Sequence, residues 1–557
     1  MILVIFSLAV ALAAGVLIYR YAPTTERMGL NEFFELTGEN EAAVILDTEY
    51  VKTPEGEAPY GIMEGSDPYL SITYLKANLD SGYVYDGVEN ILRYVTDKNV
   101  ITAYLGSPDY FVDKDPASVT VPVVLVENNE AYVALEFVKL FTDINYEAIT
   151  EEVNRIVIET AGAEKQVAYI GRNTELRRYG GVKSRILSDI AKGTKVTIKE
   201  NYGKWSFVLS EDGVLGCVRN NRLKDKSTET VAANLPERTY NHLKHEGTIN
   251  MAWHQVTNTT ANENLPEVLA NTSGLNVISP TWFYMNDNAG GIANLASTDY
   301  VNTCHANGIQ VWALFSNLEA EVDDTSVLNT TSARDNLVNN LIANALLYNL
   351  DGINVDIEAL HSSAADGYIE FIKELSLKCE ANNLYLSVDN YVPSEYTMFY
   401  DRATQAKYAD YVVIMGYDEY NGNSETPGPT ASIGYVRDGV ANTMAEVPAD
   451  QIILGMPFYT RLWSTSDAGL DVSAIPMKAI PSLLETYEVS PQWLDDQGLY
   501  YAEYQDELEY MQIWIENSET LELKLQEMKN KGLAGMSFWK LGFETPEIWN
   551  TVAKYIY

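Results

Sequence analysis

The chain has 557 residues, more than one hydrophobic core accommodates, since single cores stop growing at about 250–300 residues. Its 46% hydrophobic and 21% charged residues are those of a globular protein and exclude a mainly disordered chain. The formal net charge of −40, from 78 acidic against 38 basic residues, repels phosphate backbones and excludes nucleic acid as a natural partner.

The first element is an uncharged apolar run from Ile2 to Tyr19, closed by Arg20. Its length sits at the lower edge of the ~17–25 residues that span a bilayer. Ala11-Leu12-Ala13 offers a small-residue cleavage site, but no basic region precedes it, and the apolar character continues through Val16, Leu17 and Ile18. Residues 1–20 are expected to be an uncleaved signal-anchor, with a cleaved signal peptide as the alternative. Either one exports the remainder of the chain, to the cell surface, cell wall or medium, and confines membrane contact to this segment.

Between about Met28 and Gly162 the chain repeats itself at a spacing of 63 positions. Tyr69-Leu70-Ser71-Ile72-Thr73-Tyr74-Leu75-Lys76 aligns with Tyr132-Val133-Ala134-Leu135-Glu136-Phe137-Val138-Lys139, and Asp80 and Tyr83 fall on Asp143 and Tyr146. Each copy closes on a β-rich run, Ile91 to Thr96 and Ile156 to Thr160. Each therefore reads as strand, short helix and hairpin, an α+β repeat domain over 28–162. It resembles the small repeated domain first named for the N-terminal region of copper amine oxidases. The resemblance carries no copper site, because the first histidine is His242. It implies a spacer or wall-contacting module.

Short strands at even spacing follow over 165–226, around Leu176, Ile186, Gly193–Ile198, Lys204–Val208 and Gly213–Val218. They resemble a small bacterial SH3-like β-barrel, with Cys217 where that family usually carries tryptophan. The resemblance implies a hold on cell-wall peptide; a packing spacer is the other reading. Lys224 to Arg238 is polar, contains proline and reads as a linker.

From Thr248 onward, apolar runs alternate with helical stretches. The runs are Ile249–Val256, Val277–Tyr284, Gln310–Ser316, Gly352–Glu358, Tyr385–Tyr391, Tyr411–Tyr417, Ile452–Tyr459 and Gly535–Trp539. Arg334–Asn349 and Asp366–Asn382 have helix length and period. Eight β runs over 237–557 predict a TIM (β/α)8 barrel with its chemistry at the strands' C-terminal ends. The fourth run is the most informative. Alternation along a strand puts Asn354, Asp356 and Glu358 on one side and Val355 and Ile357 on the other. In a barrel that side is the interior, where unpaired carboxylates are expensive.

This segment, Asp351-Gly352-Ile353-Asn354-Val355-Asp356-Ile357-Glu358, resembles the DGxDxDxE signature of glycoside hydrolase family 18. Met415-Gly416-Tyr417-Asp418 resembles the family's sixth-strand MxYD. Gly455-Met456-Pro457-Phe458-Tyr459 is similar to its seventh-strand G-x-P-F-Y, and Trp539 to its eighth-strand tryptophan. Asn354 departs from the aspartate of most chitinases and resembles the branch of spore-cortex and peptidoglycan N-acetylglucosaminidases. The resemblance implies hydrolysis of β-1,4 bonds next to N-acetylglucosamine in cell-wall or spore peptidoglycan. Chitin hydrolysis and non-catalytic wall binding remain the alternatives.

It further implies substrate-assisted retaining catalysis, in which the sugar's 2-acetamido oxygen attacks and no enzymatic nucleophile is needed. Glu358 is then the acid and later the base, Asp356 accepts the acetamido N–H, and Tyr417 donates its hydroxyl to the acetamido oxygen. Asn354 is expected to orient Asp356 by hydrogen bonding, and Asp356 to keep Glu358 protonated by like-charge repulsion. Trp539 implies a plane beneath the sugar. Tyr459, Arg461 and Trp463 are expected in loop territory past the seventh strand, Asp418 in the same polar network, and Trp253 and Trp282 as further platforms or core. Cys217, Cys304 and Cys379, odd in number and far apart, read as small buried hydrophobes. His242 and His245 read as a solvated helix face. No metal or cofactor is expected.

Overall fold

The computed structural model describes residues 10, 12, 14–16, 19–506 and 508–556. The expected signal-anchor falls largely outside them, and among the described residues no helix is long and apolar enough to cross a membrane. The chain divides into two compact units, one ending at Arg238 and one running from Thr239 to Tyr557.

The first unit contains two copies of one motif. The hairpin Gly61–Glu64 with Asp67–Ser71 leads into the helix Ile72–Asn78 and then the antiparallel pair Tyr83–Asp86 and Ile91–Val95. The hairpin Val124–Glu127 with Glu130–Ala134 leads into Leu135–Val138 and then Ile144–Ile149 with Arg155–Thr160. The copies meet through antiparallel pairing of Asp67–Ser71 with Glu130–Ala134, Tyr69 opposite Ala134 and Ser71 opposite Tyr132. Tyr69 and Tyr132, equivalent in the repeat, are both fully buried in the shared core.

A seven-stranded antiparallel sheet follows, from Glu164–Ile170 to Leu223–Thr230. Its core includes Val196, Val208 and Leu215 and is shared with Leu30, Phe34, Ala43 and Ile45, so the two regions of this unit bury one continuous apolar cluster. The stretch expected to be linker begins as a strand: Leu223–Thr230 pairs with Glu164–Ile170. Its side chains are mostly exposed, so backbone hydrogen bonding builds it and the apolar periodicity of a strand is missing.

The second unit is built on eight parallel strands. They are β1 (Ile249–His254), β2 (Val277–Met285), β3 (Gln310–Ser316), β4 (Gly352–Asp356), β5 (Tyr385–Tyr391), β6 (Tyr411–Met415), β7 (Ile452–Pro457) and β8 (Gly535–Trp539). Each pairs with the next, and β8 pairs with β1, which closes the barrel. The strands are buried on both faces, which explains their nearly uninterrupted apolar runs. The two expected helices lie at Thr331–Leu347 and Ala365–Ala381, outside the barrel wall. Between β7 and β8 a five-stranded antiparallel sheet is inserted, beginning with Tyr459–Ser466.

Three expectations change here. Tyr459, Arg461 and Trp463 lie on a strand of that inserted sheet, because the alternation of this stretch satisfies a two-sided sheet. Trp463 is fully buried and donates its indole N–H to the Gly428 carbonyl at 2.9 Å, which makes it core. His242 and His245 stand on irregular backbone; His242 is half-buried beside Gln451, and burial lowers its pKa. Cys217, Cys304 and Cys379 are buried free thiols whose pKa values burial pushes up. Trp253 and Trp282 are buried.

Candidate active site

The C-terminal end of β4 carries the site. Asn354 is fully buried and uses its whole hydrogen-bonding capacity. Its Oδ1 accepts from the Trp253 indole and the Ser279 hydroxyl, both at 2.9 Å. Its Nδ2 donates to Ser387 Oγ at 3.0 Å and Asp389 Oδ1 at 2.7 Å. The expected bond to Asp356 is not among these: residues two apart on a strand stack along the barrel axis, and the Asn354 amide reaches across to β1, β2 and β5 instead.

Asp356, two residues further, has a buried Oδ1 with no hydrogen-bond partner among the described residues. Burial, and then the charges of Glu358, Asp389 and Glu319, push its pKa well above the usual carboxylate range. Glu358 lies just past β4, and its pKa is likewise raised, chiefly by burial, against a hydrogen bond from Tyr391 that favours the anion. The like charges acting on Glu358 most strongly come from Asp418 and Glu319. The expected repulsion from Asp356 is felt more on the Asp356 side, because that carboxyl lies deeper.

The Glu358 backbone is clamped by a side chain absent from the expected set. Asn317 accepts from the Glu358 N–H at 2.9 Å, donates to its carbonyl at 2.9 Å, and donates to Asp324 at 2.8 Å. Ala359 then turns the chain in the left-handed region, φ 53°, with its N–H on the Tyr391 hydroxyl at 3.1 Å.

Tyr417, just past β6, is buried, and its hydroxyl pKa is raised by burial and by Tyr459, Asp356, Asp389 and Glu358, so the phenol stays protonated. A Cβ at Gly455 would stand 2.9 Å from the Ile414 carbonyl and 3.3 Å from the Tyr417 ring, which is why glycine occupies that position on β7. The Trp253 ring meets Tyr417 edge-on at 6.5 Å and Trp539 at 5.9 Å. Trp539, at the end of β8, is partly open. Beside this aromatic wall, Asp418 accepts hydrogen bonds from Tyr459 and, at 2.6 Å, from Arg461, whose guanidinium also lies over the Tyr459 ring.

Of the expected residues, Asn354, Asp356, Glu358, Tyr417, Asp418 and Trp539 lie on or just past β4, β6 and β8, and Tyr459 and Arg461 join them from the inserted sheet through Asp418. Asp389, Tyr391, Asn317, Ser279 and Ser387 join them from outside the expected set. A cue existed for three of these: Ser387, Asp389 and Tyr391 alternate along β5 as Asn354, Asp356 and Glu358 do along β4.

A closed eight-stranded parallel barrel with buried carboxyls at the end of β4 and a phenol at the end of β6 defines a TIM-barrel hydrolase class. Residues 323–544 match the family described as Glycosyl hydrolases family 18, and the C-terminal unit is a glycosyl hydrolase family 18 domain. The chain is 26% identical over 295 residues to the uncharacterized glycosylase YvbX of Bacillus subtilis (strain 168), covering 50% of this chain and 84% of the relative. It is 25% identical over 232 residues to the cortical fragment-lytic enzyme of the same organism, covering 40% of this chain and 54% of that enzyme. Two solved structures share the fold. The spore cortex-lytic enzyme SleL of Bacillus cereus matches at TM-score 0.51 and 20% identity, over 59% of this chain and 77% of that one. A chitinase from Chromobacterium violaceum ATCC 12472 matches at TM-score 0.50 and 23% identity, over 55% and 98%.

Proposed function

We propose that the C-terminal unit hydrolyses β-1,4 bonds next to N-acetylglucosamine in bacterial cell-wall or spore peptidoglycan, by substrate-assisted retaining catalysis. The observation that carries this reading is the buried Asp356 Oδ1, without a hydrogen-bond partner among the described residues and within electrostatic reach of Glu358 and Tyr417. A buried acceptor without a donor is expensive, and an acetamido N–H would satisfy it. Asp356 then holds the acetamido group while Tyr417 donates to its oxygen. That oxygen attacks the anomeric carbon as Glu358 protonates the leaving oxygen. The oxazolinium so formed is stabilised by its N–H hydrogen bond to the Asp356 carboxyl oxygen, and Glu358, now ionised, takes a proton from the water that opens it. Trp539 supplies the plane beneath the sugar, and Asp418, Tyr459 and Arg461 a polar rim. Asn354 anchors the polar layer beneath Asp356. The peptidoglycan substrate is inferred from the cortical relatives.

For the first unit we propose a wall-contacting role, the repeat as spacer and the seven-stranded sheet as an SH3-type module for wall peptide. We further propose that the chain is exported through residues 1–20 to the cell surface. Product mass spectrometry after digestion of spore cortex, vegetative peptidoglycan and chitin oligomers tests the reading. It predicts products ending in reducing N-acetylglucosamine from cortex or peptidoglycan. Release from chitin alone would move the substrate, and release from none of the three would favour a binding protein.

A further inference from the structure

Asn354 removes a carboxyl from the strand face that carries Asp356 and Glu358, yet a third acid lies against that face. The third is Asp389 on β5, 2% exposed. The parallel register pairs Asn354 with Ser387 and Val355 with Val388, so one residue further on, Asp389 stands beside Asp356, its side chain on the interior face. Its Oδ1 accepts from Asn354 Nδ2 at 2.7 Å. Asn354 is fixed in that direction, since its Oδ1 is held by Trp253 and Ser279.

We infer that Asp389 is a positioning residue for the proposed hydrolysis: it is the carboxyl that holds the buried negative charge beneath the site, and so keeps its neighbour Asp356 protonated. This rests on the glycosidase reading of the site. Two neighbouring carboxyls do not both ionise in a buried place, and the charge settles on the one with hydrogen-bond donors. The Asn354 amide N–H is directed at Asp389, whereas Asp356 Oδ1 has no hydrogen-bond partner among the described residues. The groups that face Asp389 are Asp356 at the end of β4, Glu358 just past it, Tyr417 just past β6, and Tyr368 from the helix Ala365–Ala381. Burial raises the Asp389 pKa, and the bond from Asn354 opposes the rise. Asn354 and Asp389 together thus do across two strands what an aspartate at 354 would do along one.

The test compares the full chain with Asp389→Asn, Asn354→Asp and the exchange Asn354→Asp/Asp389→Asn. Infrared titration of the buried carboxyl C=O bands, with Asp356→Asn identifying the Asp356 band, reads the charges whether or not hydrolysis is seen. In Asp389→Asn the Asp356 band should titrate at lower pH by about one unit, the scale on which neighbouring carboxyls couple. The alkaline limb of kcat/KM on peptidoglycan should move the same way, and the exchange, which returns a carboxyl to the same hydrogen bond, should restore both. An Asp356 band at its original pH in Asp389→Asn, or an exchange variant no closer to wild type than Asp389→Asn, would overturn the inference. Loss of the glycosidase reading would appear separately, as wild-type protein inert on every N-acetylated glycan while the infrared shift persists.

Discussion

Replacing Asn317 with alanine tests whether the clamp on the Glu358 backbone sets the reaction geometry. The side chain makes three hydrogen bonds, two to Glu358 and one to Asp324, each between 2.8 and 2.9 Å. At about 1 kcal/mol net each, their loss destabilises this corner by about 3 kcal/mol and frees the segment that carries the acid. A misplacement of about 1 Å costs on the order of a hundredfold in rate, so kcat should fall between ten- and a hundredfold. KM should change little, because Asn317 acts through the Glu358 backbone. Both limbs of the pH profile should stay in place, since no titrating group is removed. The assay is reducing-end release from peptidoglycan under initial-rate conditions, with circular dichroism as the check on folding. A folded Asn317→Ala variant with wild-type kcat, or one altered in KM alone, would refute the reasoning.

Glu358→Gln should lose hydrolysis while keeping oligosaccharide binding by calorimetry, because the change is nearly isosteric and removes only the proton donor. Asn354→Asp places a second carboxyl at the end of the 2.7 Å bond to Asp389, so activity should persist with a displaced pH profile. The raised pKa values of Asp356, Glu358 and Asp389 make the native state bind more protons than the unfolded chain at mildly acidic pH. The stability they contribute is present below the unfolded carboxylate range and is lost as pH rises through the raised folded values. The barrel's melting temperature should therefore fall over that window, and Asp389→Asn should flatten the fall; equal slopes in wild type and variant would contradict the assignment.

The barrel was legible because its strands are buried on both faces and read as continuous apolar runs. The fourth strand was legible because polar residues interrupted such a run at alternate positions. The same alternation in Ser387, Asp389 and Tyr391 is a fainter cue, since a serine and a tyrosine around one carboxylate also suit an ordinary strand. Register between strands, which sets Asp389 beside Asp356, is a tertiary fact that no single segment encodes. Asn317 was invisible for a related reason: it lies after β3 and acts on a backbone 41 positions away. The inserted sheet was hidden because Tyr459 to Ser466 continues from β7 almost without a break, and nothing local marks where barrel strand becomes insert strand. Leu223–Thr230 failed in the opposite sense, a polar sequence made into a strand by its neighbour.

In the proposed reaction the substrate's own acetamido group is the nucleophile, held by Asp356 and Tyr417 while Glu358 moves the proton. Its most direct test is the initial rate on a glycan carrying N-acetylglucosamine at the cleaved position, against the same glycan with a free 2-amino group there. Turnover of the first and none of the second is expected, with a thiazoline analogue of N-acetylglucosamine inhibiting competitively. Equal rates on the two glycans, or a covalent glycosyl-enzyme trapped on Asp418 or another carboxylate, would contradict it.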